Sequence, residues 1–157
     1  MDEPPVEGEP PVEVRQVLVP VDGSDESTRA GEYAVAIADR YDADVHAVYV
    51  LGEEAVRGIE TGTLDREAVA EDARSFLDGI ETLADEHGVA ATSSTAYGFS
   101  TTRKTQHPGS VVLDTAEEVD ADFLVVPREP LTGDPGEVLE KAAEYVLLYA
   151  SQPVLSV

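Results

Sequence analysis

Few residues in this chain are of types able to do chemistry, and most of them stand alone. None of His46, His87 and His107 has a second histidine four residues away, so a helical zinc site is excluded. There is no cysteine, which removes thiolate ligands, thiol nucleophiles and disulfides together. A Gly-x-Ser-x-Gly nucleophile elbow and a Gly-Lys-Ser/Thr phosphate loop are both absent. Acid pairs such as Glu53 and Glu54 read as solvated surface in so acidic a chain. What remains is one carboxylate, Asp22, directly after an apolar run, and a group of cations. No acid occurs between Glu86 and Asp114, and that gap holds Arg103, Lys104 and His107 among Ser100, Thr101, Thr102 and Thr105. With Arg128 and Lys141 these cations suit an anionic ligand, since phosphate and carboxylate are attracted to both and Arg binds either bidentately. The plainer account is structural. Glu137 and Lys141 pair four apart on a helix, Arg128 pairs with Glu117 or Glu129, and the neutral gap is a strand and a loop.

The elements that must position these residues follow from the apolar pattern. Val17, Leu18, Val19 and Val21 form the short run of a strand buried on both faces. Asp22-Gly23-Ser24-Asp25 then offers helix caps, and Ala30, Ala34, Ile37 and Tyr41 recur at helical spacing. The second strand is Val45 to Leu51, and Gly52 to Thr63 reads as a loose, glycine-rich connection. Val69, Ala73, Phe76, Ile80, Leu83 and His87 make one stripe on a long helix. Ala90 to Tyr97 is a third strand, and a polar loop runs on to about Gln106. Pro108 opens a helix to about Val119, and Phe123 to Val126 is a fourth strand. Pro135 opens a last helix with Val138, Leu139, Ala142, Val146 and Leu147, before a closing strand from Pro153 to Val157. Five strands alternating with four helices predict a Rossmann-like α/β fold, a doubly wound parallel sheet with right-handed crossovers. Ligands of such sheets bind outside the carboxyl ends of the strands, where strand order reverses. Those ends are the loops after Val21, Leu51, Tyr97 and Val126, which brings Asp22 and the cations to one side.

Three segments carry a family resemblance. Val17-Leu18-Val19-Pro20-Val21-Asp22-Gly23-Ser24, Ala121-Asp122-Phe123-Leu124-Val125-Val126 and Pro153-Val154-Leu155-Ser156-Val157 resemble the opening strand and loop, the fourth strand and the closing strand of the universal stress protein family. His107-Pro108-Gly109 is loosely similar to the family's Gly-x-Pro loop. The resemblance implies a sheet of order 3-2-1-4-5, homodimers through the last strand and, in one branch, ATP binding. ATP-binding members carry a Gly, two residues, a second Gly, nine residues, then Gly and Ser or Thr. Here those positions fall on Pro127, Pro130, Glu140 and Lys141, so the glycines are replaced. Proline offers no N–H and Glu140 brings negative charge. Gly133-Asp134-Pro135-Gly136 imitates the motif but sits too late. Pro20 and Asp22 match the family positions near ribose and phosphates, Val50 the position beside adenine, and Val126 ends the fourth strand at the same side. Their plainer account is a strand end, a capping acid and core valines.

Composition sets the remaining bounds. At 157 residues the chain fits one domain, and 42% hydrophobic residues in periodic order argue for a packed fold. Residues 1–13 hold four prolines, five acids and no base, which predicts a disordered acidic tail before a domain over 14–157. The 33 acids against 10 bases give a net charge of -23, which repels nucleic acid and anionic lipid. Lys104 and Lys141 are the only lysines. Acid-rich, lysine-poor surfaces suit molar salt, where a Debye length of about 3 Å screens self-repulsion. The expectation is a halophilic protein, with an ordinary acidic protein as the alternative. No apolar run approaches the ~20 residues of a membrane span, and the N-terminus lacks a basic-then-apolar signal, so the cytoplasm is expected. Val154, Leu155 and Val157 make an apolar edge strand, a hazard unless paired, which predicts a homodimer or a heterodimer with a glycine-containing paralogue. The functional expectation is a dimeric, stress-related regulatory or interaction module that does not bind ATP in the usual way. It is no enzyme, with weak nucleotide hydrolysis left open, and it needs no cofactor beyond a doubtful ATP or AMP. The alternative is a sensor that binds a nucleotide or another small anion at the strand ends.

Overall fold

The structure is a computed structural model that describes residues 11–98, 107–127 and 138–157, with the backbone alone for 138–141. The first ten residues of the expected tail lie outside the described residues, as do Arg103, Lys104, Arg128 and Pro130. In chain order the elements are β1 (Gln16–Val21), α1 (Asp25–Tyr41), β2 (Asp44–Leu51), α2 (Glu53–Thr61), α3 (Arg66–Glu86), β3 (Ala91–Tyr97), α4 (Pro108–Glu118), β4 (Phe123–Val126), α5 (Val138–Tyr149) and β5 (Val154–Ser156). The strands form one parallel sheet, as the alternating pattern predicts, in the order β3-β2-β1-β4-β5 that the family resemblance implies.

Period-two alternation along the central strands divides the core into two layers. Val17, Val19, Val21, Val45 and Ala47 face α1 and α3, with Ala30, Ala34, Ala38, Leu77 and Ile80 packed against them. Leu18, Val48, Val50, Leu124 and Val126 face α4 and α5, meeting Val112, Ala116, Ala142 and Val146. Alanines four apart let α1 lie close on the sheet. Leu18 and Leu124 are fully buried, and truncating either to Ala would cost about 2–5 kcal/mol through lost transfer energy and the cavity left.

Five helices flank the sheet among the described residues, not four. The segment expected as a loose connection, Gly52 to Thr63, contains α2. Its glycines suggest a loop, but Gly58 is there for close packing. A Cβ at Gly58 would collide with the Leu64 side chain, which folds back over α2. The last helix also differs from its sequence reading. Ala142 and Val146 are buried as expected, whereas Leu147 is 54% exposed.

Candidate functional site

Strand order reverses between β1 and β4, and there the sheet opens. The β1–β2 ladder continues to Val21 opposite Tyr49. The β1–β4 ladder pairs Val17 with Phe123 and Leu18 with Leu124 and stops. Past that point β1 and β4 separate, leaving Pro20 where a missing N–H interrupts little. Pro20, Val50 and Val126 are all buried at this end, and Pro127 is buried directly after β4.

The β1–α1 turn is closed by its own bonds. Asp22 Oδ1 accepts from Ser24 N at 3.0 Å and from the Ser24 hydroxyl. Ser24 is the N-cap of α1, and its Oγ accepts from Ser27 N at 3.2 Å. Gly23 carries φ +86, the left-handed region that favours glycine. The Tyr49 hydroxyl donates to the Asp22 carbonyl at 3.2 Å from the adjacent strand. Burial, then the nearby Asp22 and Asp72 carboxylates, hold the Tyr49 phenol above its ordinary pKa, so it stays a donor. Asp25 and Glu26 occupy the first turn of α1 and already complement its positive end.

The start of α4, on the opposite face but at the same end of the sheet, is closed as well. His107 is its N-cap, with Nδ1 accepting from Gly109 N at 3.0 Å. Pro108 lies in the first turn and has no N–H to offer. The imidazole stacks on Tyr145 at 4.7 Å between centroids, and Tyr145 meets Tyr149 at 4.7 Å. The sequence places His107 in a loop. A histidine cap and its stacking partner far along the chain leave no local signal.

A third polar group sits toward the β3 edge. His46 is buried, with Nδ1 2.7 Å from the Thr92 hydroxyl and Nε2 2.9 Å from the Ser94 hydroxyl. Burial lowers its pKa, opposed by the Glu118 carboxylate. No carboxylate bonds the ring, so the group is a satisfied core histidine and not a catalytic triad. Among the described residues no cluster of His, Asp or Glu is arranged to hold a metal.

The profile of the Universal stress protein family matches residues 13–157. The chain belongs to the universal stress protein family. A universal stress protein of Methanocaldococcus jannaschii is 30% identical over 146 residues, covering 91% of this chain and 81% of that one. The fold is shared with the universal stress protein UspA from Lactobacillus plantarum, at a TM-score of 0.71 and 22% identity over 93% of this chain and 99% of that chain. It is shared too with a universal stress protein from Archaeoglobus fulgidus in complex with dAMP, at a TM-score of 0.62 and 20% identity over 92% and 98% of the two chains.

In this universal stress protein domain the structure brings Pro20, Asp22, Val50 and Val126 to one end of the sheet. Arg103, Lys104 and Arg128 lie outside the described residues, and Lys141 is placed on α5 by its backbone alone. Val154 packs into the α4/α5 layer, while Leu155 and Val157 pack into the α1/α3 layer. All three are half-buried. The sequence misses Tyr49 and the capping role of His107, whereas Ser24 lies in the capping pattern read before α1.

Proposed function

We propose that this universal stress protein domain works as a dimeric regulatory or interaction module and does not take ATP in the usual way of its ATP-binding relatives. The observation that carries this reading is that side-chain caps already occupy both described helix starts at the switch point. At α1, Asp22 accepts from Ser24 N, Ser24 Oγ accepts from Ser27 N, and Asp25 and Glu26 add negative charge to the first turn. At α4, His107 accepts from Gly109 N beside Pro108, and buried Pro127 has no N–H. A phosphate there would meet Asp22, Asp25 and Glu26 with few free donors to offset the repulsion. Among the described residues the Ser24 hydroxyl beside Asp22 serves as the α1 cap, and the Thr92 and Ser94 hydroxyls satisfy a buried His46 with no carboxylate on its ring, which favours a non-enzymatic role. Calorimetric titration of ATP and AMP into the full chain in molar KCl tests it. No saturable heat at millimolar ligand is expected, and a one-site isotherm would refute the reading.

The dimer rests on the far edge of the sheet. Within the described residues β5 pairs with β4 alone. The end of α5 beside it exposes Leu147, Leu148 and Tyr149 at 54%, 69% and 65%. Three consecutive exposed apolar residues at an open edge are a hazard unless a partner covers them. Sedimentation equilibrium of the wild type and Leu148→Glu should give a dimer and a weakened dimer, and a monomeric wild type would count against the model of pairing. The acidic surface suits a high-salt cytoplasm, and no described helix is long and apolar enough to cross a membrane.

A second reading is favoured by the dAMP complex of the Archaeoglobus fulgidus relative. In it the domain is a sensor for a nucleotide or other anion, with Arg103, Lys104, Arg128 and Lys141 supplying by side chain what the lost glycines supply by backbone. The same calorimetric titration, repeated with Arg128→Ala and Lys141→Ala, separates the two readings.

A further inference from the structure

We propose a second ligand site, a pocket between α2, the start of α3 and the end of β3 that takes a small monocarboxylate with a short apolar body. The cavity measures about 270 Å³. That is just under the roughly 300–1,000 Å³ of most ligand clefts, so it suits a short alkyl chain or a single ring. Leu51, Ile59, Val69, Ala70 and Tyr97 provide apolar walls, and Thr95 adds a hydroxyl. Arg66 is the one charged residue in the lining.

The charge balance makes that lining selective. The chain has 33 acids and 10 bases, yet among the described residues no acid lines this pocket. Arg15 and Arg57 are engaged by Glu13 and Glu53. Arg66 forms no ion pair among the described residues. A guanidinium fork binds a carboxylate through two parallel charge-assisted bonds. The apolar body of the ligand would leave water against the five walls.

The pocket is separate from the switch-point crevice. Strand alternation turns Leu51, Thr95 and Tyr97 to the α1/α3 side of the sheet, whereas Val50 and Val126 face α4 and α5, the side on which Ala96 alone of the pocket lining packs.

The test titrates octanoate into the full chain, with octanol as the uncharged control, and follows the methyl resonances of Ile59, Val69 and Ala70. Saturable shifts are expected for octanoate. Binding should weaken about tenfold or more for octanol and for Arg66→Gln, each of which lacks one half of the charge-assisted pair. Ala70→Phe fills the cavity and should abolish binding. Arg66 and Ala70 are both exposed, so the variants keep the fold, which near-UV circular dichroism verifies. No saturable shift at these methyls, shifts confined to other residues, or an unchanged affinity in Arg66→Gln would overturn the proposal.

Discussion

Replacing Gly23 by Ala probes the turn on which the candidate site depends. Gly23 sits at φ +86, and an L-residue in the left-handed region costs about 1–2 kcal/mol. The added Cβ would also lie 2.8 Å from the Tyr49 hydroxyl oxygen, closer than real contacts allow. The phenol must swing away and give up its bond to the Asp22 carbonyl, worth about 0.5–1.5 kcal/mol net. The sum is about 1.5–3.5 kcal/mol. In a domain of this size each kcal/mol lowers Tm by roughly 2–4 °C, so a drop of about 3–14 °C is expected. Tyr49→Phe alone should cost about 1 kcal/mol for the lost hydroxyl bond. The double variant should be less destabilised than the sum, because Phe has no hydroxyl for the new Cβ to strike. Urea denaturation followed by circular dichroism measures all four chains. Strict additivity, or a Gly23→Ala variant within about 0.5 kcal/mol of wild type, would refute the assignment of this turn as one interlocked unit.

Three further outcomes are expected. His107→Ala removes the α4 cap and the stack on Tyr145 and should cost about 1–3 kcal/mol in urea denaturation; a neutral variant would show that neither contact matters. His46 has a folded-state pKa below its ordinary 6.5, so the unfolded chain takes up that proton first as pH falls. Its contribution to stability is whole above about pH 6.5 and shrinks below it until the folded-state value is passed. His46→Gln should flatten that part of the stability profile relative to wild type, and parallel profiles between pH 6.5 and 5 would contradict the burial argument. Salt should stabilise the domain. The ion pairs Arg15–Glu13 and Arg57–Glu53 are exposed and lose little by screening, while a net charge of -23 gains from it. Raising KCl from 0.1 to 1 M shortens the Debye length from about 10 to 3 Å and should raise Tm; a falling Tm would mean that specific pairs outweigh self-repulsion.

The parallel sheet was legible because short apolar runs bounded by turn residues alternate with helical stripes, while the strand order came from the family resemblance. Val17, Leu18, Val19 and Val21 show such a run plainly. Helix α2 was not legible, since Gly52, Gly58 and Gly62 resemble loop residues and the partner that requires Gly58, Leu64, lies beyond the helix. At the candidate site the sequence placed Pro20, Asp22, Val50 and Val126 at one end of the sheet. It did not show that Asp22 is engaged by Ser24 and Tyr49, because that engagement joins β1, α1 and β2. Long-range side-chain contacts of this kind, like His107 on Tyr145, follow from packing and leave no local pattern. The expectation of Val154, Leu155 and Val157 as interface residues rested on an apolar strand at the sheet's edge and on the family resemblance, and the structure shows these residues also packing against the two core layers.

The two edges of the sheet differ in a way that bears on assembly. Strand β3 is the longer edge, seven residues, and Thr92, Ser93, Ser94 and Thr95 along it are exposed. Their hydroxyls are partly committed, Thr92 and Ser94 to His46 and Ser93 to Glu81. Such an edge offers backbone groups but little apolar surface, and a carboxylate close by discourages a second strand. Strand β5 is three residues long, too short for backbone pairing to hold a dimer by itself. Its asset is the neighbouring end of α5, where Leu147, Leu148 and Tyr149 stand exposed. If two chains meet here, side-chain burial from α5 must supply most of the affinity, with β5 setting the register. Substitution at Leu148 should therefore weaken a dimer far more than a backbone change in β5, whereas pairing through β3 would leave Leu148 irrelevant.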